Sequence, residues 1–210
     1  MKNDCDLKID WCSFEAAKYA CTHYHYSKTL PAGDLIKVGV WEDDKFIGCV
    51  IFSRGTNNNI AKPYGLDRLE VCELTRVALR NHKSFVTQIL SKAIKLLKSQ
   101  CPGLKLIISY ADGEQKHLGI IYQANNWIYE GEKDCLPYPI IINGKITHSR
   151  SVSGKYGTVS IEYLRQNVDP DAHVLEVAPK HKYLFPSDKH IKKQVLKLLK
   201  PYPKDERQTT

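Results

Sequence analysis

One block of the chain leaves few folds open. The runs LEVCELTRVAL (residues 69–79) and LKLIISYAD (residues 104–112) are rich in branched and apolar side chains, the composition of buried strands. Between them, Phe85 to Lys98 repeats apolar side chains at Val86, Ile89, Leu90, Ala93, Ile94 and Leu97, the period of a helix with one buried face. Ser84 is placed to cap its N-terminus, and Cys101-Pro102-Gly103 ends it. Strand, helix, strand in so short a space requires two parallel strands joined by a right-handed crossover. The second strand must be covered on both faces.

The remaining segments add to that sheet. Phe14 to His23 reads as a helix, followed by the loop HYHYSKTLPAG. Leu35 to Trp41 and Lys45 to Ser53 form a hairpin around the acidic turn Glu42-Asp43-Asp44. Asn57 to Asn59 through Pro63-Tyr64-Gly65 reads as a surface loop. His117 to Asn126 is expected to be a second helix, with strands at WIYEG and CLPYPIII. After Asn143 the pattern weakens, leaving helices at Val159 to Gln166 and Lys189 to Lys200. The fold class is α/β, an α+β arrangement on a mixed sheet, with a catalytic domain expected over residues 1–140 and a basic extension over 141–210 packed on it.

No apolar run approaches the length of a membrane span, and the polar N-terminus has no signal-peptide pattern. A cytoplasmic location follows, in the host if the chain is phage-encoded. Seven cysteines without any C-x-x-C pair suit reduced, mostly buried thiols better than a disulfide framework or a structural zinc. The formal charge of +8 favours an anionic partner. From Lys180 to Lys204 eight lysines stand against one acid, Asp188, interleaved with His181, Tyr183, Phe185, His190 and Tyr202. Such a segment is either a solvated tail or a set of phosphate contacts with aromatic faces for bases.

Ligand crevices in such sheets lie beyond the carboxyl ends of the parallel strands. Arg76 lies near the end of one and Asp112 at the end of the other. Tyr122 follows on the expected second helix. Arg76 could orient Asp112 or clamp an anion, and Asp112 could serve as base or ligand; a plain structural ion pair is the competing account.

The order helix, hairpin, VCELTRVAL, helix, IISYAD, HLGIIYQANNWIYEG resembles the GNAT acyltransferase superfamily over roughly residues 5–135. Within it, H-Y-S at His25 to Ser27, L-T-R at Leu74 to Arg76, S-Y-A-D at Ser109 to Asp112 and Y-Q-A-N-N-W at Tyr122 to Trp127 resemble the phage Mom group of DNA adenine-modification proteins. The resemblance implies a GNAT-like fold that uses acetyl-CoA and modifies the exocyclic N6 of adenine in double-stranded DNA, shielding phage DNA from restriction enzymes. It implies catalytic roles for Asp112, Arg76, Tyr122, His25 and Tyr26. It places the cofactor along Thr75, Val77 and Ala78 and at Arg80, His82, Lys83, Ser84 and Phe85, where GNAT enzymes carry a glycine-rich diphosphate loop. Both glycines are absent here, although cations and a helix N-terminus still suit an anion.

Adenine N6 is a poor nucleophile, so stronger activation than simple deprotonation is expected. His25, Tyr26, Asp112 and Tyr122 could hold a ferric or ferrous ion if they converge, an idea the resemblance strengthens. Lone histidines and buried tyrosines are more often hydrogen-bonded structural groups. Reaching N6 in a duplex requires extruding the base, and Lys28, Arg150, Lys155, Lys180, Lys182, Lys192 and Lys193 are candidates to hold the DNA. Two other readings stand beside this one: an acetyltransferase of a small amine or of protein, and a non-catalytic DNA-binding module on the same fold. The sequence leaves the oligomeric state open, a dimer included.

Overall fold

The structure is a computed structural model that describes residues 5–55 and 59–204. Its elements are β1 (Leu7–Trp11), α1 (Phe14–Tyr24), β2 (Leu35–Glu42), β3 (Lys45–Ser53), β4 (Val71–Leu79), α2 (Val86–Gln100), β5 (Leu106–Ala111), α3 (Ile120–Gln123), β6 (Ile128–Lys133), β7 (Ile140–Ile142), β8 (Lys145–Thr147), α4 (Ser149–Tyr156), α5 (Ile161–Asn167), β9 (His173–Val174), β10 (Lys180–Pro186) and α6 (Lys189–Val195). A seven-stranded sheet runs β1-β2-β3-β4-β5-β10-β6, and a three-stranded one runs β8-β7-β9. By its contacts the chain divides into Met1–Ala111, Leu118–Gly131 and Lys182–Thr210 as one unit, and Asp112–His117 with Glu132–His181 as the other, rather than at residue 140.

In the first unit the hairpin expected at the acidic turn is present. Asp43 and Asp44 both take positive φ, 50° and 61°, the pair of left-handed residues that lets a two-residue turn follow the twist of its strands. β4 pairs antiparallel with β3 and parallel with β5, so the crossover through α2 is the one the sequence requires. The buried face of α2 (Ile89, Leu90, Ala93, Ile94, Leu97) packs with Val38, Val50, Leu74, Ile107, Trp127 and Tyr183 on one side of the sheet. On the other side α1 sets Ala17, Ala20 and Cys21 against Cys49, Ile51 and Ala78. A further cluster joins Tyr64, Leu106, Ile108 and Leu184 to Ile191 and Val195 of α6. The second unit has its own small core of Ile140, Ile142, Val152, Leu164 and Ala172.

Several expectations change. The segment read as a basic extension contributes β10, which lies between β5 and β6; Tyr183 and Leu184 are fully buried there. The second helix shrinks to the single turn of α3, because Lys116 and Gly119 take positive φ of 55° and 70°, which no right-handed helix can pass. Gly119 is needed there, since a Cβ would stand 2.4 Å from the Tyr183 ring. Ser84 does not cap α2: the N-cap position is Phe85, and no side chain caps it. β1 and α4 were not anticipated, being short and weakly patterned. The loop expected around Asn57 and Asn58 lies outside the described residues. Among the described residues no helix is long and apolar enough to cross a membrane.

Gly48 fixes how closely β3 and β4 approach. Its φ is +143°, and an added Cβ would meet the Ala78 carbonyl oxygen at 1.9 Å. That neighbour is backbone within a paired strand and cannot swing aside. Gly48→Ala is therefore expected to cost about 4 kcal/mol or more of folding stability, read as a fall in the urea midpoint; a loss below about 1 kcal/mol would contradict the packing described.

Candidate functional site

The site begins with a change of register. Phe52 pairs with Leu74 but Ile51 with Arg76, so Thr75 is an extra residue, a bulge that bends its strand. Its hydroxyl donates to the Ile51 carbonyl at 3.1 Å. On the other edge of β4 the parallel ladder runs from Val71–Leu106 to Leu74–Ser109 and stops there, although β4 continues to Leu79. Beyond Leu74 the edge of β4 thus carries peptide groups with no ladder to β5 among the described residues. Ala78 is fully buried, so along Thr75, Val77 and Ala78 a ligand would meet backbone first.

Ser109 sits where the ladder ends. Its hydroxyl oxygen lies 2.8 Å from both the Leu74 carbonyl oxygen and the Tyr122 hydroxyl. A carbonyl only accepts, and Ser109 has one proton; when that proton goes to Leu74, Tyr122 donates to Ser109. Tyr122 is buried against Trp127 and Tyr183. Burial pushes its phenol up to about 12, the Ser109 hydrogen bond pulls it down, and the charge of Glu73 adds to the rise. Tyr122 is a neutral hydrogen-bond donor at any working pH, not a base. Ser109 and Glu73 were not singled out from the sequence, where a serine and a glutamate within strands look like ordinary strand residues.

Arg76 faces the α1 side, paired opposite Ile51. Its Nη1 donates to the Thr75 carbonyl at 2.7 Å, while its Nε is buried without a hydrogen-bond partner among the described residues. The thiol of Cys21, in α1, is lowered by its bond with Cys49, against burial and with help from the Arg76 charge. That helix runs on into His25 and Tyr26, whose rings lie 4.3 Å apart. Asp112 belongs to the second unit and caps the short turn Gly113–Gln115, accepting the Glu114 N–H at 3.2 Å.

Two of the side chains that the resemblance suggests for a ferric or ferrous ion, His25 and Tyr122, are engaged with neighbouring serines. His25 Nδ1 lies 2.8 Å from the Ser27 hydroxyl and 3.1 Å from the Ser27 N–H. The Tyr122 oxygen is held in the buried pair with Ser109. Among the described residues no group of three or more His, Cys, Asp and Glu side chains is placed to hold a metal ion.

The loop before α2 is already filled. Glu42, at the end of β2 and buried, accepts the backbone N–H groups of Lys83 at 2.8 Å and Ser84 at 2.7 Å. Burial pushes its carboxyl up, but the Lys83 amide, the Ser84 hydroxyl and amide and the charge of His82 outweigh that and leave it lowered. Lys83 Nζ pairs with Asp43 at 2.9 Å, His82 Nδ1 lies 2.9 Å from the Ser84 carbonyl oxygen, and the Arg80 guanidinium lies over the Tyr24 ring. Phe85 is exposed.

The candidate DNA contacts divide. Lys28, Arg150, Lys155, Lys192 and Lys193 are exposed and Lys180 is half-buried. Lys182 is a correction: it is 7% exposed, pairs with Glu130 at 3.1 Å and lies over the Tyr64 ring, while the Tyr64 hydroxyl donates to the same carboxylate. A lysine so committed is part of the interior. A cavity of about 390 Å3 opens elsewhere, lined by Leu35, Ile36, Cys72, Leu97, Cys101 and Leu104 among others; none of the candidate residues lines it, and it lies toward the opposite ends of β4 and β5.

Comparison with known proteins adds four findings. The Mom protein family model matches residues 6–204. The methylcarbamoylase mom of Escherichia phage Mu is 24% identical over 207 residues, covering 95% of this chain and 84% of the relative. Among solved structures, Arabidopsis thaliana NAA60 in complex with a bisubstrate analogue is 7% identical with a TM-score of 0.51, covering 87% of this chain and all of that one. A Bacillus subtilis acetyltransferase in complex with CoA is 11% identical with a TM-score of 0.45, covering 86% and 99%. The mixed sheet has the GNAT-like fold that the sequence suggested.

Two predictions follow from the buried charges. Glu42 is lowered, so it stabilises the fold above the ordinary carboxyl value of 4.5 and that stabilisation is lost as pH falls through its folded value. Urea midpoints measured down to pH 3 should drop less steeply in Glu42→Gln than in the parent chain; parallel curves would contradict the assignment. Lys182→Ala removes the buried cation paired with the Glu130 carboxylate and should cost about 3–5 kcal/mol. The exposed Lys192→Ala should stay within about 0.5 kcal/mol.

Proposed function

We propose a function from one premise: the chain belongs to the Mom protein family, whose model spans residues 6–204. On that premise the protein is a transferase that draws on acetyl-CoA to modify N6 of adenine in DNA, and the modification protects phage DNA from restriction enzymes. The observation that carries the reading is the early end of the β4–β5 ladder at Leu74 and Ser109, with Tyr122 held beside it. A donor arm with amide groups would lie along β4 as an added strand, its thioester near Ser109. The relative from phage Mu is named a methylcarbamoylase. A methylcarbamoyl group contains nitrogen, which an acetyl group lacks; acyl transfer from acetyl-CoA, in which N6 loses a proton and the CoA thiol leaves, gives an acetyl amide, and reaching the relative's group would need a nitrogen donor and a two-electron oxidant besides.

The residues then take roles set by their state. Tyr122 stays protonated, with its phenol held up to about 12 by burial, and would donate a hydrogen bond to oxygen or sulfur as charge builds there. Asp112 is the carboxylate assigned to accept the proton lost from N6, working with whatever further activation that poor nucleophile needs. Arg76, with a buried Nε that lacks a partner, would hold an anionic group of donor or substrate. His25 and Tyr26, in the loop after α1, would line the side from which the extruded base enters. Lys28, Arg150, Lys155, Lys180, Lys192 and Lys193 would contact phosphates, so affinity for DNA would fall steeply with added salt.

The test is nucleoside mass spectrometry on DNA from cells expressing the protein. A modified deoxyadenosine is expected, reduced at least ~100-fold by Asp112→Ala and by about 10–100-fold by Tyr122→Phe. Unaltered deoxyadenosine, with acetyl transfer to amines in its place, would replace this reading by that of an ordinary acetyltransferase.

A further inference from the structure

The loop ahead of α2 stands where a GNAT enzyme would receive the diphosphate of its donor, and here two successive backbone N–H groups of that loop are taken by a carboxylate. We infer that Glu42 excludes the donor's diphosphate from this loop, so that donor recognition rests on the acyl-pantetheine arm and the substrate class is acyl-pantetheine thioesters, with or without the nucleotide. This rests on the acyl-donor reading above and narrows it.

The geometry supports the exclusion in four ways. Glu42 Oε2 and Oε1 take the N–H groups of Lys83 and Ser84 separately, at 2.8 and 2.7 Å, an arrangement a phosphate oxygen would otherwise satisfy. Glu42 is 4% exposed as a residue, so an incoming anion would have to displace a buried, hydrogen-bonded group rather than water. The loop is also tied to elements that do not belong to it. The Cys5 thiol lies 3.2 Å from the Ser84 hydroxyl; Asp43 accepts the Asp6 N–H at 3.1 Å and binds Lys83 Nζ. Finally, the other cationic side chains of the loop are engaged with Tyr24 and the Ser84 carbonyl. The exposed pair of Lys83 and Asp43 is weak and can open; the pair of bonds to Glu42 is the barrier.

The absent glycines fit this arrangement. A diphosphate cradle needs backbone that can approach the ligand closely, whereas a loop closed on an internal carboxylate keeps its shape with Asn81, His82 and Lys83. In this protein Glu42 stands in for the anion. What remains for the donor is the free edge of β4 past Leu74, which recognises amides and not phosphates.

The experiment measures binding of acetyl-CoA and of S-acetyl-pantetheine to the whole chain by calorimetry, in the parent and in Glu42→Gln. The expected result is that the two bind the parent within about tenfold of each other, while Glu42→Gln binds acetyl-CoA at least ~5-fold more tightly and S-acetyl-pantetheine unchanged. Acetyl-CoA binding the parent ~100-fold or more above S-acetyl-pantetheine would overturn the inference while leaving the donor reading intact. A folded Glu42→Gln with an unchanged ratio would overturn the role given to Glu42. If the parent binds neither compound, the donor reading falls and this inference with it. Should Glu42→Gln fail to fold, the ratio in the parent alone still decides.

Discussion

The first unit depends on a limit to strand pairing. β4 and β5 are parallel and buried, and pairing to their ends would leave no backbone for a ligand. One extra residue, Thr75, ends that. By bulging against β3 it turns β4 away after Leu74, and the Ser109 hydroxyl completes the hydrogen bonding of the last paired carbonyl. Beyond Leu74 β4 has no ladder to β5 among the described residues, and the Thr75 carbonyl there is met by the Arg76 guanidinium. The strand that carries the edge is fixed from both faces, by α2 through Leu74 and by α1 through Ala78. The opening is therefore a feature of a rigid sheet rather than of a loose loop.

What the sequence discloses and what it hides follow from the same physics. The block from Leu69 to Asp112 is legible because packing alone dictates it: the α2 stripe and the apolar β5 have no other way to be covered. The hairpin is legible because two aspartates in left-handed conformation match its twist. β10 was hidden because its lysines suggest solvent, although Tyr183 and Leu184 sit in the core. Lys182 enters the interior only because Glu130, Tyr64 and Tyr110 surround it. That solution depends on residues from separate parts of the chain, and no local pattern announces it. The second helix failed for a local reason that the sequence does contain, a glycine at 119, whose meaning depends on the ring of Tyr183 packed against it.

The candidate site shows the same division. L-T-R, S-Y-A-D and Y-Q-A-N-N-W drew attention to Arg76, Asp112 and Tyr122 through resemblance, while Ser109, on which Tyr122 leans, lies within one of those motifs and passed unnoticed. Ser84 has the type and position of a helix cap, but its amide donates to Glu42, some forty residues away in the chain. A cap is a local preference worth about 1 kcal/mol. A buried carboxylate needing two donors is a stronger demand, and it wins.

Three acidic groups illustrate how placement sets chemistry. Glu42 is satisfied by amides and is lowered, which makes it an anchor. Glu130 is neutralised by Lys182 and bonded by Tyr64, whose phenol is pushed up by burial and by that carboxylate, which makes the group part of the core. Asp112 accepts the Glu114 amide of a short turn. Of the three it alone stands directly after the end of a parallel strand, where open sheets place their reactive groups. Its position in the chain, more than its residue type, sets it apart from the other two.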